Sequence, residues 1–231
     1  MLPFTTEQFL AVFASYNEAI WPVHLAAYGL GLIAIGAVAF PGPQTHHLIF
    51  TVLGLFWIGN GAGYHLWQLT AITPAAWLFG TAFLVQGALF LRQATSGAPF
   101  GLRFGSEPRR LVGGALIAYA AIVYPLVGPA FGHAWPRAPY FGVAPCPTTI
   151  FTFGLLLLAE RERITPGLLV IPFAWSLVGG SAAVLLGITE DLGLVVAGGL
   201  GAFLLFCGRA GDDRIPLVPR WRPGPRQRYP S

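Results

Sequence analysis

Lysine is absent from this chain of 231 residues, and charge of either sign is scarce. All 13 basic residues are arginine. Without a lysine amine no Schiff base can form, which excludes retinal and pyridoxal chemistry. Charged residues make up only 10% of the chain and hydrophobic ones 55%, against about a quarter charged in soluble domains. A soluble domain of this length would need far more charge to cover its surface, so the composition points to a membrane protein. The first twenty residues hold no Arg or Lys, so no cleaved signal peptide is expected. The acids fall in loops or at helix ends, which argues against a proton relay on intramembrane carboxylates. No Ser-His-Asp order with a nucleophile elbow, no HExxH and no phosphate loop is found. An enzyme is therefore not the expectation, and neither is a nucleic-acid partner.

What is present is apolar and helical. Residues 1–19 read as a short amphipathic helix: Thr5 and Gln8 fit a capping box, and Phe9, Val12, Phe13 and Tyr16 recur at helical spacing. Such a helix can lie in the bilayer interface. Seven apolar segments follow, at about 20–40, 48–69, 74–92, 111–131, 144–159, 167–187 and 192–208, each near the roughly twenty residues that span hydrocarbon. The fold class is thus an all-α polytopic membrane bundle of about seven transmembrane helices, over residues 20–208. Residues 209–231, rich in Arg, Pro, Gly and Asp, read as a disordered basic cytoplasmic tail.

Arginine sets the orientation. Arg92, Arg103, Arg109, Arg110, Arg161, Arg163 and the six from Arg209 to Arg228 share one side under seven spans, against Arg137 on the other. The positive-inside rule then puts the N-terminus outside and the C-terminus in the cytoplasm. It also puts Cys146 and Cys207 at opposite faces, too far apart for a disulfide. An internal echo relates Phe56–Arg92 to Phe173–Arg209, each with an Ile-Thr corner (Ile72-Thr73, Ile188-Thr189). It suggests a 3+1+3 parallel repeat of the kind found in small transporters. Gly59 and Gly63 offer a close-packing face on the second span, Gly179-Gly180 and Gly198-Gly199 on the last two. Pro125, Pro129 and Pro172 are expected to kink their helices.

With that orientation, polar residues from separate parts of the chain collect in the outer leaflet. Trp21, His24, Asn60, Tyr64, His65 and Trp175 form a candidate ligand site, floored or covered by the proline-rich stretch from Pro129 to Pro147. His24, His65, His133 and Cys146 form a candidate metal set for copper, zinc or mercury, and His24 with His65 a candidate pair of haem ligands. The plain alternative is an aromatic interface belt with helix-to-helix hydrogen bonds.

The blocks PFTTEQFLAVFASYNEAIWP and GHAWPRAPYFGVAPCPTTIFTFGLLL resemble the two signature blocks of an uncharacterised family of bacterial multi-helix membrane proteins, catalogued as a domain of unknown function. The resemblance implies a protein of the bacterial inner membrane and supplies no substrate or catalytic residue. The leading expectation is the binding or transport of a small solute or ion in the outer half of the bundle. The alternatives are a metal- or haem-binding membrane protein, in electron transfer or metal handling, and an accessory subunit of a membrane complex. A homo-oligomer is compatible with all three.

Overall fold

The computed structural model describes residues 2–96, 101–130, 132–160, 164–188 and 191–207, with the side chains of 206 and 207 excepted. The tail 209–231, Arg161, Arg163, Thr189, Glu190 and the thiol of Cys207 lie outside the described residues. Helix α1 spans Thr6–Ala19 and α2 Trp21–Ala39; α3 spans Thr45–Gly59 and continues as a wider π-type helix over Asn60–Gln68. Helix α4 covers Ala75–Ala94, and α5, Pro108–Ala118, runs through a π turn at Tyr119–Val123 into α6, Tyr124–Ala130. Helices α7, Pro145–Leu158, α8, Val170–Leu186, and α9, Leu192–Ala202, complete the order. Among the described residues there is no strand, only an isolated antiparallel bridge between Leu102 and Ala159.

Among the described residues, four helical runs are long and apolar enough to cross a membrane: Trp21–Ala39, Ala75–Ala94, Pro108–Ala130 and Pro166–Leu186. Large apolar side chains such as Leu25, Leu32, Leu78, Leu126 and Val184 are exposed on their outer faces. A surface of that kind fits lipid and is costly in water.

The bundle is arranged around α7. All of its residues from Pro145 to Leu158 are buried, although at 1.5 Å per residue it is only about 21 Å long. Its sequence has no polar stripe, so every face must be covered by protein. Proline at the first helical position lacks the N–H that a helix start leaves unpaired anyway. Hydroxyls of Thr149 and Thr152 donate one turn back, to the carbonyls of Pro145 and Thr148, at 2.8 Å each. Trp57 Nε1 donates to Thr152 Oγ1 at 3.0 Å, tying α3 to this axis. At the far end Arg109 donates to the Ala159 carbonyl at 2.7 Å, which satisfies an acceptor that the helix leaves open.

Glycine sets how closely the helices cross. A Cβ on Gly87 would come within 2.9 Å of the Gly54 carbonyl, and one on Gly113 within 2.8 Å of the Gly154 carbonyl. The α3–α4 and α5–α7 pairs therefore touch backbone to backbone. The expected Gly59–Gly63 face is not the one used: Gly59 has open space beside it, while Gly63 faces the Tyr16 hydroxyl. Pro125 follows directly on the π turn, which widens the helix where its N–H is missing. Pro172 does not kink α8, because it stands in the first turn, where no hydrogen bond is lost.

The apolar stripe of α1 is turned onto the protein. Leu10, Val12, Phe13 and Tyr16 are buried, and Phe13 stacks on Tyr64 at 4.8 Å between ring centroids. The capping box of Thr5 and Gln8 forms as its spacing predicts. Thr6 Oγ1 donates to the Leu186 carbonyl at 3.2 Å and pins the start of α1 to the end of α8.

Candidate functional site

The site begins with Asn60. Its Nδ2 donates to Phe56 O at 2.8 Å, Gly142 O at 3.1 Å and Thr148 Oγ1 at 3.3 Å, so it clamps α3 to the loop before α7 and to α7 itself. The Phe56 carbonyl, one turn back, is thereby shared between side chain and backbone. From this residue the helix widens to the π form, which is common where a side chain competes for ladder carbonyls. The extra residue per turn rotates Tyr64 and His65 inward, and both are buried.

Between α1, the π segment, α4, α8 and the first turn of α7 lies a cavity of about 210 Å³. Phe9, Phe13, Phe79, Tyr64 and Trp175 supply aromatic wall; Pro145 and Cys146 form part of it at the head of α7, and Asp191 another part before α9. Asp191 is buried and accepts a hydrogen bond from the Tyr124 hydroxyl. The Tyr64 hydroxyl, Trp175 Nε1 and both ring nitrogens of His65 are buried without a hydrogen-bond partner. They lie close together: the His65 ring is 5.0 Å from Trp175 and 5.1 Å from Tyr64, between centroids. Phe83 and Phe79 close the rest of the shell around His65 at 4.6 and 6.0 Å.

The other proposed site residues stand elsewhere. His24 packs among Trp21, Trp135 and Tyr140, with centroids at 6.1, 5.4 and 5.6 Å. Its Nδ1 faces the Trp21 carbonyl and its Nε2 faces Asn17 Oδ1, each at 3.1 Å. Asn17 is oriented by its own amide group, which donates to Pro136 O at 2.6 Å and Ala138 O at 2.7 Å. Both neighbours of the imidazole are acceptors: a neutral ring donates to one of them, and its other nitrogen is turned toward the second rather than toward His65 or Cys146. His133 lies in the loop after α6, and among the described residues no three of His, Cys, Asp and Glu come together as a metal-binding group. Among the described residues, His24, His65, His133 and Cys146 thus do not gather as a group of three or more. The haem pair His24 and His65 is split in the same way, between two separate aromatic shells.

Of the six expected ligand residues, Tyr64 and Trp175 line the cavity and His65 lies between them. Asn60 acts as a clamp, and Trp21 with His24 belongs to the outer aromatic group. Sequence reading did not single out Phe13, Phe79 or Gly179 as wall, nor Asp191 as a buried acid. An acid directly before an apolar helix with no other charge was the available signal for Asp191. The histidines at the opposite end have a plain role: His46 Nε2 meets the Gln93 carbonyl at 2.7 Å, and His47 meets that of Ala94. They close the open carbonyls at the end of α4.

A family model described as a family of unknown function, DUF6064, matches residues 6–214, and the chain belongs to that family. No curated protein and no solved structure matches the chain.

Proposed function

We propose that this DUF6064 protein is an integral membrane bundle that binds a small, largely apolar solute in the cavity beneath α1. In this reading the apolar segments make seven crossings of a bacterial inner membrane, with the N-terminus outside. The positions of Arg92, Arg103, Arg109 and Arg110 at one end, and Arg137 at the other, support that orientation.

The observation that carries the reading is an aromatic cavity lined by Tyr64 and Trp175, whose hydroxyl and indole N–H are buried without a partner. Buried polar groups almost always find partners, and leaving one unpaired costs about 1–3 kcal/mol. A bundle that keeps several of them around one cavity is best explained by a solute that completes them. A small solute fits better than a bare metal ion, because no group of three His, Cys, Asp and Glu gathers among the described residues. Helix α1 serves as the lid. It is held at its start by the Thr6–Leu186 bond and by the exposed Glu7–Arg137 ion pair, and exposed pairs contribute little. The start of α1 therefore opens at low cost, which suits uptake and release, while Leu10, Phe13, Tyr16 and Asn17 hold the rest of the helix on the bundle.

The test is a thermal-unfolding screen of the detergent-solubilised protein with one-ring apolar molecules. A ligand at a hundredfold excess over Kd stabilises by about 2.7 kcal/mol, a shift of several degrees. Ala182→Leu places extra volume in the cavity wall and is expected to abolish the shift. If no such molecule stabilises the protein, or the Ala182→Leu variant responds like the wild type, the cavity is not the site.

A further inference from the structure

Resting on the cavity reading, we infer that its solute is a neutral, one-ring compound bearing a carbonyl-type hydrogen-bond acceptor. The first observation is Trp175. An indole N–H can only donate, and Nε1 of Trp175 is buried with nothing to donate to. Gly179, one turn along α8, also lines the cavity, and a Cβ there would sit 3.4 Å from this nitrogen. The same Cβ would meet Leu194 Cδ2 at 2.8 Å, so this glycine is what lets α9 pack beside the indole.

The second observation is Tyr64, whose unpaired hydroxyl has Cys146 and Asp191 as electrostatic neighbours, both in the cavity wall. Between these two donors lies His65, which as a neutral imidazole offers one further N–H and one acceptor. The wall is thus rich in donors that lack acceptors.

Charge is excluded from both directions. No arginine lines the cavity and the chain has no lysine, so a carboxylate or phosphate would be buried without a counter-charge. An ammonium would find aromatic faces and Asp191. But an ammonium brings no lone pair for the Trp175 N–H or the Tyr64 hydroxyl, which would stay unpaired. Size limits the rest. A cavity of about 150 Å³ holds benzene, so one of about 210 Å³ holds one ring and a short substituent.

The experiment compares three probes of nearly equal size by equilibrium binding to the full chain in detergent: acetophenone, ethylbenzene and benzylammonium. At about threefold per neutral hydrogen bond, two bonds make acetophenone bind roughly tenfold tighter than ethylbenzene. Trp175→Phe and Tyr64→Phe keep the aromatic wall and remove one donor each. In each, the ratio of the two affinities is expected to fall about threefold, a change that a purely structural role would not produce. Equal binding of acetophenone and ethylbenzene would overturn the carbonyl inference and leave the apolar cavity standing. Preference for the ammonium would overturn neutrality. Failure of all three probes removes the cavity reading and this inference together.

Discussion

His24 and His65 sit at the same end of the bundle, both buried, yet one has a partner on each ring nitrogen and the other has none. Around His24 the partners are fixed carbonyl groups, and the network reaches from α1 through Asn17 to the proline-rich loop. That loop, with its cis Trp135–Pro136 bond, is anchored by the same asparagine. Around His65 there are only rings, and beside them a cavity. A histidine with a protein group set against each ring nitrogen is part of the framework. One held in an aromatic shell with its nitrogens unanswered marks the place where something else is expected to bind.

The contrast makes opposite predictions for the two sides. The largest effect belongs to Asn17→Ala, which removes two bonds to loop carbonyls and the partner of His24. A loss of about 2–4 kcal/mol is expected in reversible unfolding. A loss below about 1 kcal/mol would mean that the network holds nothing together. His24→Leu comes next, at about 1–2 kcal/mol, since whichever of Asn17 Oδ1 and the Trp21 carbonyl the ring donates to then loses that donor. If this variant unfolds like the wild type, the distinction between the two histidines fails on the framework side. His65→Phe is the smallest change and has the opposite sign. The new ring fits among Phe79, Phe83, Tyr64 and Trp175 and removes two unpaired nitrogens, so stability should stay level or rise by up to about 1 kcal/mol. Thermal unfolding without ligand measures it. A drop of 1 kcal/mol or more would show that His65 is a satisfied framework residue as well.

The segments were largely legible in the sequence. The stretch read as 20–40 is α2 at Trp21–Ala39, and that read as 144–159 is α7 at Pro145–Leu158. Runs of apolar residues and the prolines that bound them act locally, so their limits can be read without the fold. The Thr5–Gln8 capping box is local for the same reason. The π segment at Asn60–Gln68 was not legible, because it depends on Asn60 reaching a loop carbonyl and Thr148 some 80–90 residues away. Nor was the Gly54–Gly87 crossing, since many glycines have suitable spacing and only packing selects among them. Tyr64, His65 and Trp175 do lie together in space, whereas Trp21, His24 and Asn60 were grouped with them only for being at similar depth.

That grouping separates the two kinds of information in this chain. Composition, apolar runs and the placement of arginine determined that the protein is helical and suited to a membrane, and roughly how deep each residue lies along its helix. Depth is one coordinate, set by position in a run that rises by about 1.5 Å per residue. The angle around each helix, and which helices are neighbours, depend on contacts between residues far apart in the chain. Tertiary packing alone therefore decided that α7 is wholly enclosed. It alone turned α1 onto Tyr64 as a lid, and placed His24 and His65 at one depth in two unconnected surroundings.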